Sequence, residues 1–198
     1  VPRPDSPRTG ARWDRRRAEL VTEAARVFAR NGYDQTSVPE LGEALGRATG
    51  AIYHYFPSKE ELLIAICDQL MEPLLSEAEA LASGPDPAAD QLRALVRLWV
   101  AHVIEHRDHM LVFQQERHAI DHGAQWREVR ASRKRFERLL EGVVERAGAE
   151  GRTAAVDPRL LVVALLGMVN HTAQWHRPRG RLSPKQIADG YLDLVLAG

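Results

Sequence analysis

The stretch Gly50-Ala51-Ile52-Tyr53-His54-Tyr55-Phe56-Pro57-Ser58-Lys59-Glu60-Glu61-Leu62-Leu63 decides the fold. Ile52 and Phe56 stand about one helical turn apart, so a short helix from about Thr49 to Tyr55 turns both inward. Pro57 stops that helix by withholding an amide and crowding the preceding turn. Ser58-Lys59-Glu60-Glu61 then reads as a capping box, which opens a helix with Leu62, Leu63, Ile66 and Leu70 on its inner face. Upstream, Ser37-Val38-Pro39-Glu40 is another capping box. It starts a helix striped by Val38, Leu41 and Leu45 and broken at Gly46. A first helix, about Asp14 to Arg30, carries Leu20, Val21, Ala24, Ala25 and Phe28 at helical spacing. Asn31-Gly32 ends it, since both residues tolerate the left-handed conformation. Three short helices with a tight Gly-containing turn between the last two form a helix-turn-helix unit. The turn fixes the angle at which the third helix projects, the geometry that enters a major groove.

Downstream, capped 3.6-period segments continue without period-two alternation, so the fold class is all-α. The fourth helix bends past Pro73 and runs to about Ala82. A fifth opens near Pro87 and carries Leu92, Leu95, Val96, Trp99 and Val103; a sixth spans about Asp108 to Ile120. A seventh, about Ala124 to Ala147, presents Trp126, Val129, Phe136, Leu140, Val143 and Val144. Asp157-Pro158 opens an eighth, and Ser183-Pro184-Lys185-Gln186 caps the ninth. The eighth is apolar on nearly every side from Leu160 to Val169, so it must be covered on more than one face. One cover is its own domain. The other is either more of the same chain or a second copy, which Gly167 would let approach closely.

With 198 residues, 44% hydrophobic and 27% charged, the chain has the profile of a globular protein with a substantial core. Its single cysteine, Cys67, leaves no intrachain disulfide and suits a reducing cytoplasm. The ten-residue run at Leu160–Val169 is too short to cross a bilayer, and the N-terminal residues show no secretion signal. Net charge is zero, yet residues 1–17 hold six arginines against two aspartates, so the remainder carries −4. A basic arm on an acidic body suits contact with an anionic polymer. A solvated tail in a chain with 24 arginines and three lysines accounts for the same residues.

The segment Arg15 to Leu63 resembles the N-terminal domain of the TetR/AcrR family of bacterial transcriptional regulators. The likeness lies in Ala24-Ala25-Arg26-Val27-Phe28-Ala29-Arg30-Asn31-Gly32-Tyr33, Thr36-Ser37-Val38, Leu41-Gly42-Glu43-Ala44-Leu45-Gly46 and the stretch quoted first. The resemblance implies nine helices, with residues 1–13 as a flexible basic arm and 14–57 as a DNA-binding domain. Residues 58–198 would form a ligand-binding and dimerisation domain. It implies a homodimer on a double-stranded DNA operator, released by a small-molecule effector, with no cofactor. By position, Thr36 and Ser37 match residues that meet phosphate, and Gly50 and Ala51 match the start of the reading helix. Tyr53 and His54 match contacts to phosphate or a base edge, and Lys59 matches a lysine beside phosphate. Arg47, Ala48 and Thr49 depart from the usual pattern. Ala48 cannot cap, so Thr49 is expected as the cap and Arg47 as a phosphate or guanine contact. Gly42 stands where alanine is usual, at a propensity cost of about 1 kcal/mol.

The segment Trp175-His176-Arg177-Pro178-Arg179-Gly180-Arg181-Leu182-Ser183-Pro184 resembles a tail in TetR-type regulators of lipid and steroid catabolism, the KstR-like and FadR-like groups. That implies an acyl-CoA or related metabolite as effector. A loop before a capped helix has the same composition. Candidate ligand-binding residues are Trp99, His102, Met110, Phe113, Gln114, Asn170, His171 and Gln174, polar groups among apolar walls. Ordinary core packing explains the same residues, Trp99 and Phe113 above all. Candidate dimer residues are Leu165, Gly167, Met168, Tyr191, Leu194 and Val195. His102, His106 and His109 share a helix face and make a metal conceivable, but a helix junction there explains them and no metal is assigned. No nucleophile elbow, phosphate loop or dinucleotide fingerprint occurs, so no enzyme activity is expected. The alternative is a helical small-molecule-binding or catalytic protein whose N-terminal domain no longer binds DNA.

Overall fold

The structure, a computed structural model, describes residues 7–153 and 156–196. Among these the chain forms α1 (Pro7–Asn31), α2 (Val38–Ala44), α3 (Thr49–Tyr53), α4 (Lys59–Ala82) and α5 (Ala88–Glu105). Then come α6 (Arg107–Gln115), α7 (Arg117–His122), a 3-10 turn (Ala124–Trp126), α8 (Arg127–Ala149), α9 (Pro158–Trp175) and α10 (Pro184–Val195). The expected nine helices become ten because Glu116, at a non-helical junction, divides the sixth into α6 and α7. The start of the first helix also moves. α1 begins at Pro7, a residue preorganised for a first turn, so residues 7–13 extend the helix and do not form a separate arm. Residues 1–6 lie outside the described residues.

Three of the helix starts are fixed as their sequences imply. Ser37 accepts from the Glu40 amide at 3.3 Å, and the Glu40 carboxylate accepts from the Ser37 amide at 2.7 Å. Ser183 and Gln186 repeat the exchange at α10. Ser58 accepts from the Glu61 amide at 3.1 Å, which supplies half of the expected box. α3 differs: Thr49 is its first helical residue, and Ala48 occupies the cap position without a side-chain bond. α5 is capped from afar. The Glu150 carboxylate, at the end of α8, accepts from the Ala88 and Ala89 amides at 2.9 and 3.3 Å.

The first three helices close over Leu20, Phe28, Leu41, Ile52 and Phe56, each at most 2% exposed. α4 runs out of this head into the body, where α5, α8, α9 and α10 pack around one another. α6 bridges the two, packing on α1 and α4 on the head side and on α9 on the body side. Pro73 sits inside α4, so one amide is missing from its ladder and the ring presses toward the Gln69 carbonyl. One hydrophobic cluster joins head and body.

Gly42 looks like a weak point in sequence and is a close contact in the structure. A Cβ there would stand 2.8 Å from the Arg47 carbonyl oxygen, below any tolerated approach to backbone. The tight α2–α3 turn therefore requires glycine at this position. We expect Gly42→Ala to lower stability by about 1 kcal/mol despite its better helix propensity, read as a lower urea midpoint.

The imidazoles of α5 and α6 lie at the joint between head and body. His102 Nε2 stands 2.7 Å from the Leu70 carbonyl, and His109 Nε2 stands 3.3 Å from Gln69 Oε1. Gln69 in turn donates to Thr22 on α1 at 3.2 Å. Burial, with help from His106 and His102, pushes the His109 imidazole down from 6.5 to about 4. The unfolded chain therefore takes up a proton that the folded chain refuses, and stability is lost as pH falls from 6.5 toward 4. Asp68, raised to about 6 mainly by burial, acts with the opposite sign, so a comparison with a variant isolates the histidine. Between pH 7.5 and 4.5 the unfolding free energy of the native chain should fall relative to His109→Gln by about 2 kcal/mol, measured by urea denaturation.

Candidate functional site

α3 has five residues, and only Ile52 among them is buried. Ile52 and Phe56 face the core, and geometry then turns Gly50, Ala51, Tyr53 and His54 outward. Tyr53 is 46% exposed, an unusual position for a large aromatic residue on a helix with no covering element. The outer face is held in place from behind. Trp13 of α1 packs on Tyr55 with ring centroids 5.4 Å apart, and the Arg17 guanidinium lies 4.6 Å from the centre of the Phe56 ring. Ser37, at the start of α2, is exposed beside this face.

Other residues that sequence placed at this surface are used internally. Thr36 is 2% exposed, and its hydroxyl donates to the Gly32 carbonyl at 2.8 Å. Lys59 donates to the Tyr33 and Thr36 carbonyls at 2.8 and 3.1 Å, with its ammonium 4.0 Å from the centre of the Tyr33 ring. It fixes the loop after α1 to the start of α4. Arg47 pairs with Glu23 of α1 at 3.0 Å. Thr49 is half-buried. Helical position alone could not show this for Lys59 and Arg47, because their partners lie on other elements.

The body holds a cavity of about 690 Å³. Its apolar wall comes from Met71 and Leu74 of α4, Trp99 of α5, Met110 and Phe113 of α6, and Phe136 of α8. Val162, Val163, Leu166 and Gly167 of α9 continue the wall. Its polar lining is Gln114, Asn170, His171 and Gln174, with Arg117, Arg133, Glu137, Glu141 and Arg159. Seven of the eight ligand candidates named from sequence thus meet around one space. His102 does not: it turns to the Leu70 carbonyl. Among the described residues no group of three or more ligating side chains is placed to hold a metal. The cavity side of α8 is invisible in sequence. Arg133, Glu137 and Glu141 recur at four-residue intervals and read as an ordinary solvated face.

α9 and α10 leave an apolar surface uncovered, with Leu160, Val163 and Leu194 at 60%, 63% and 71% exposure. Gly167 is exposed among them, and Met168 and Tyr191 are half-buried. Tyr191 shares a hydrogen bond with Thr172 at 2.9 Å. Leu165 and Val195, expected on this face, point into the core at 0% and 3% exposure. Helix α9 is apolar all round, so periodicity could not separate its inner from its outer side. No helix among the described residues is long and apolar enough to cross a membrane.

Comparison with known proteins agrees with this arrangement. Residues 20–66 match the family described as bacterial regulatory proteins, tetR family, and residues 85–198 match the tetracyclin repressor-like C-terminal domain. The HTH-type transcriptional repressor KstR2 of Mycolicibacterium smegmatis is 28% identical over 202 residues, covering 98% of this chain and 94% of the relative. The TetR-family transcriptional regulator PfmR of Thermus thermophilus superposes with a TM-score of 0.77 at 30% identity, over 88% of this chain and 95% of that one. AibR, solved in complex with isovaleryl coenzyme A and operator DNA, superposes with a TM-score of 0.78 at 28% identity, over 90% and 97%. The chain belongs to the TetR family of bacterial transcriptional regulators.

Proposed function

We infer that the protein is a homodimeric, DNA-binding transcriptional repressor released from its operator by a small-molecule effector. The observation that carries this reading is the outward face of α3, where Gly50, Ala51, Tyr53 and His54 are exposed on a helix anchored only from behind. Small residues at Gly50 and Ala51 let the backbone approach base edges, and the Ala51 methyl suits contact with a thymine methyl. Tyr53 offers a hydroxyl to phosphate, and His54 reaches phosphate or a base edge, while the Ser37 hydroxyl is committed to the Glu40 carboxylate at 2.7 Å. Thr36, Lys59 and Arg47 position this surface rather than touch DNA. Arg12, Arg15 and Arg16 on the extended α1 add sequence-independent affinity. Two heads would read successive major grooves about 34–36 Å apart. On this reading the protein acts on the chromosome, in the cytoplasm, by binding alone.

The second copy covers Leu160, Val163 and Leu194, large apolar side chains that otherwise stand in water. The effector occupies the cavity. An acyl-CoA is the class we favour, supported by the isovaleryl coenzyme A in the AibR complex. A second support is that Arg117 and Arg159 line the cavity with largely exposed side chains, where a diphosphate would compete with their Asp121 and Glu141 partners. α6 couples the two sites: Met110, Phe113 and Gln114 face the cavity, while His109 reaches α4 and, through Gln69, α1. A ligand that shifts α6 shifts the heads, and DNA and ligand then oppose each other by the same coupling free energy.

On duplexes enriched from a randomised pool, Tyr53→Phe should weaken specific and scrambled sequences alike, while Ala51→Val should change which sequence is preferred. Electrophoretic shifts measure both, and equal losses on every duplex for both variants would count against the assignment. Decanoyl-CoA should release the bound duplex. Leu194→Glu, which places a charge on an uncovered face without touching the core, should convert a dimer to a monomer in sedimentation velocity.

A further inference from the structure

The loop between α9 and α10 is a basic turn of defined geometry. Arg177, Arg179 and Arg181 stand within five residues, and all three are exposed. Pro178 fixes one φ of the turn, and the Gly180 amide donates to the Arg177 carbonyl at 2.8 Å. A Cβ at Gly180 would stand 2.9 Å from that same oxygen, so the turn closes this tightly only with glycine there. Among the described residues, none of the three guanidinium groups makes a hydrogen bond or an ion pair. The first carboxylate of α10, Asp189, is taken by Arg97 and Lys185 at 2.7 and 2.6 Å. Three unpaired cations in a chain whose residues 18–198 sum to −4 form a local patch against an acidic background.

The fold puts this turn on the side of the body that carries the head. At the far end, Glu150 of α8 caps α5, and Thr153 pairs with Leu196 just after α10. α9 starts from that end. It finishes where Gln114 of α6 donates to the Asn170 carbonyl and Gln174 donates to Gln114, each at 2.9 Å. α6 itself packs on α1 of the head. The turn joins α9 to α10, so it also stands at the head-side end of the surface that exposes Leu160, Val163 and Leu194. A second copy on that surface, with both heads on one duplex, brings its own turn to the same end. Three guanidinium groups from each copy then gather near the twofold axis, and their mutual repulsion calls for an anion between them. We propose that the two turns form a third DNA contact, in which Arg177, Arg179 and Arg181 of each copy meet backbone phosphates between the two half-sites. The inference rests on the dimeric, DNA-bound reading and extends it to a segment outside the helix-turn-helix unit. Contacts of this kind carry no sequence information and add affinity that salt removes.

The test measures duplex affinity of the full-length protein by fluorescence anisotropy across a range of KCl concentrations, on a palindrome enriched from the randomised pool. The triple variant Arg177→Gln, Arg179→Gln, Arg181→Gln should lower the slope of log affinity against log salt by about 2, the slope of one neutralised phosphate per copy. Its binding at low salt should weaken about tenfold. The matching triple lysine variant keeps the charges and should stay within about twofold of the native chain. Replacing the phosphates between the half-sites by neutral methylphosphonates should lower the native slope and leave that of the glutamine variant unchanged. An unchanged slope for the native chain on the neutralised duplex overturns the proposal without any variant. So does a glutamine variant that sediments as a monomer, since the arginines would then pair across the dimer interface. If the native chain retains no duplex at low salt, the regulator reading fails and the proposal with it. If it binds, and the neutral linkages cost the native and glutamine chains equally, only the third contact fails.

Discussion

A five-residue helix has no stability of its own, since nucleation costs more than so few hydrogen bonds return. α3 exists because Ile52 and Phe56 are locked into a core built by α1, α2 and α4. Burying the two side chains contributes roughly 1.5–3 kcal/mol each, enough to hold a single turn in place. The same anchoring leaves the outer face of α3 free of any structural duty. Exposed Gly50, Ala51, Tyr53 and His54 are therefore available for a partner, while Lys59, Thr36 and Arg47 are spent on stiffening the support. Recognition and stability are divided between two sides of one turn.

The body repeats this division within a cavity. Trp99, Phe113 and Phe136 supply apolar walls, and part of the polar lining is bonded together, Gln114 to Asn170 and Gln174 and Arg159 to Glu141. α6 touches both regions and has little room to move independently, with His109 buried against Gln69 and Val112 in the core. On the proposed reading, this shared packing is the route by which filling the cavity reaches the head.

The head was legible in sequence because its signals are local. Capping boxes, glycines at positive φ such as Gly32 and Gly46, and the Ile52–Phe56 spacing each lie within a few residues of what they determine. The split at Glu116 was not legible, because no strong breaker marks it, and the start of α1 was not, because Pro7 stands in a proline- and arginine-rich run that reads equally as an extended arm. Long-range pairings were also hidden. Nothing near Pro87 predicts that Glu150 caps α5, and nothing near Lys59 predicts that the Tyr33 carbonyl holds its ammonium. Seven ligand candidates did converge, because polar residues interrupting apolar helix faces are informative; the charged stripe of α8 was missed because a cavity rim and a wet surface use the same residues.

Pro73 gives α4 a mechanical character that its length conceals. With no amide to offer, it leaves the Gln69 carbonyl without its usual helical partner, at the residue that also meets His109 and Thr22. Met71 and Leu74, on either side of the proline, line the cavity. The missing amide removes one restraint from the helical ladder at the point where the half of α4 rooted in the head passes into the half that lines the body.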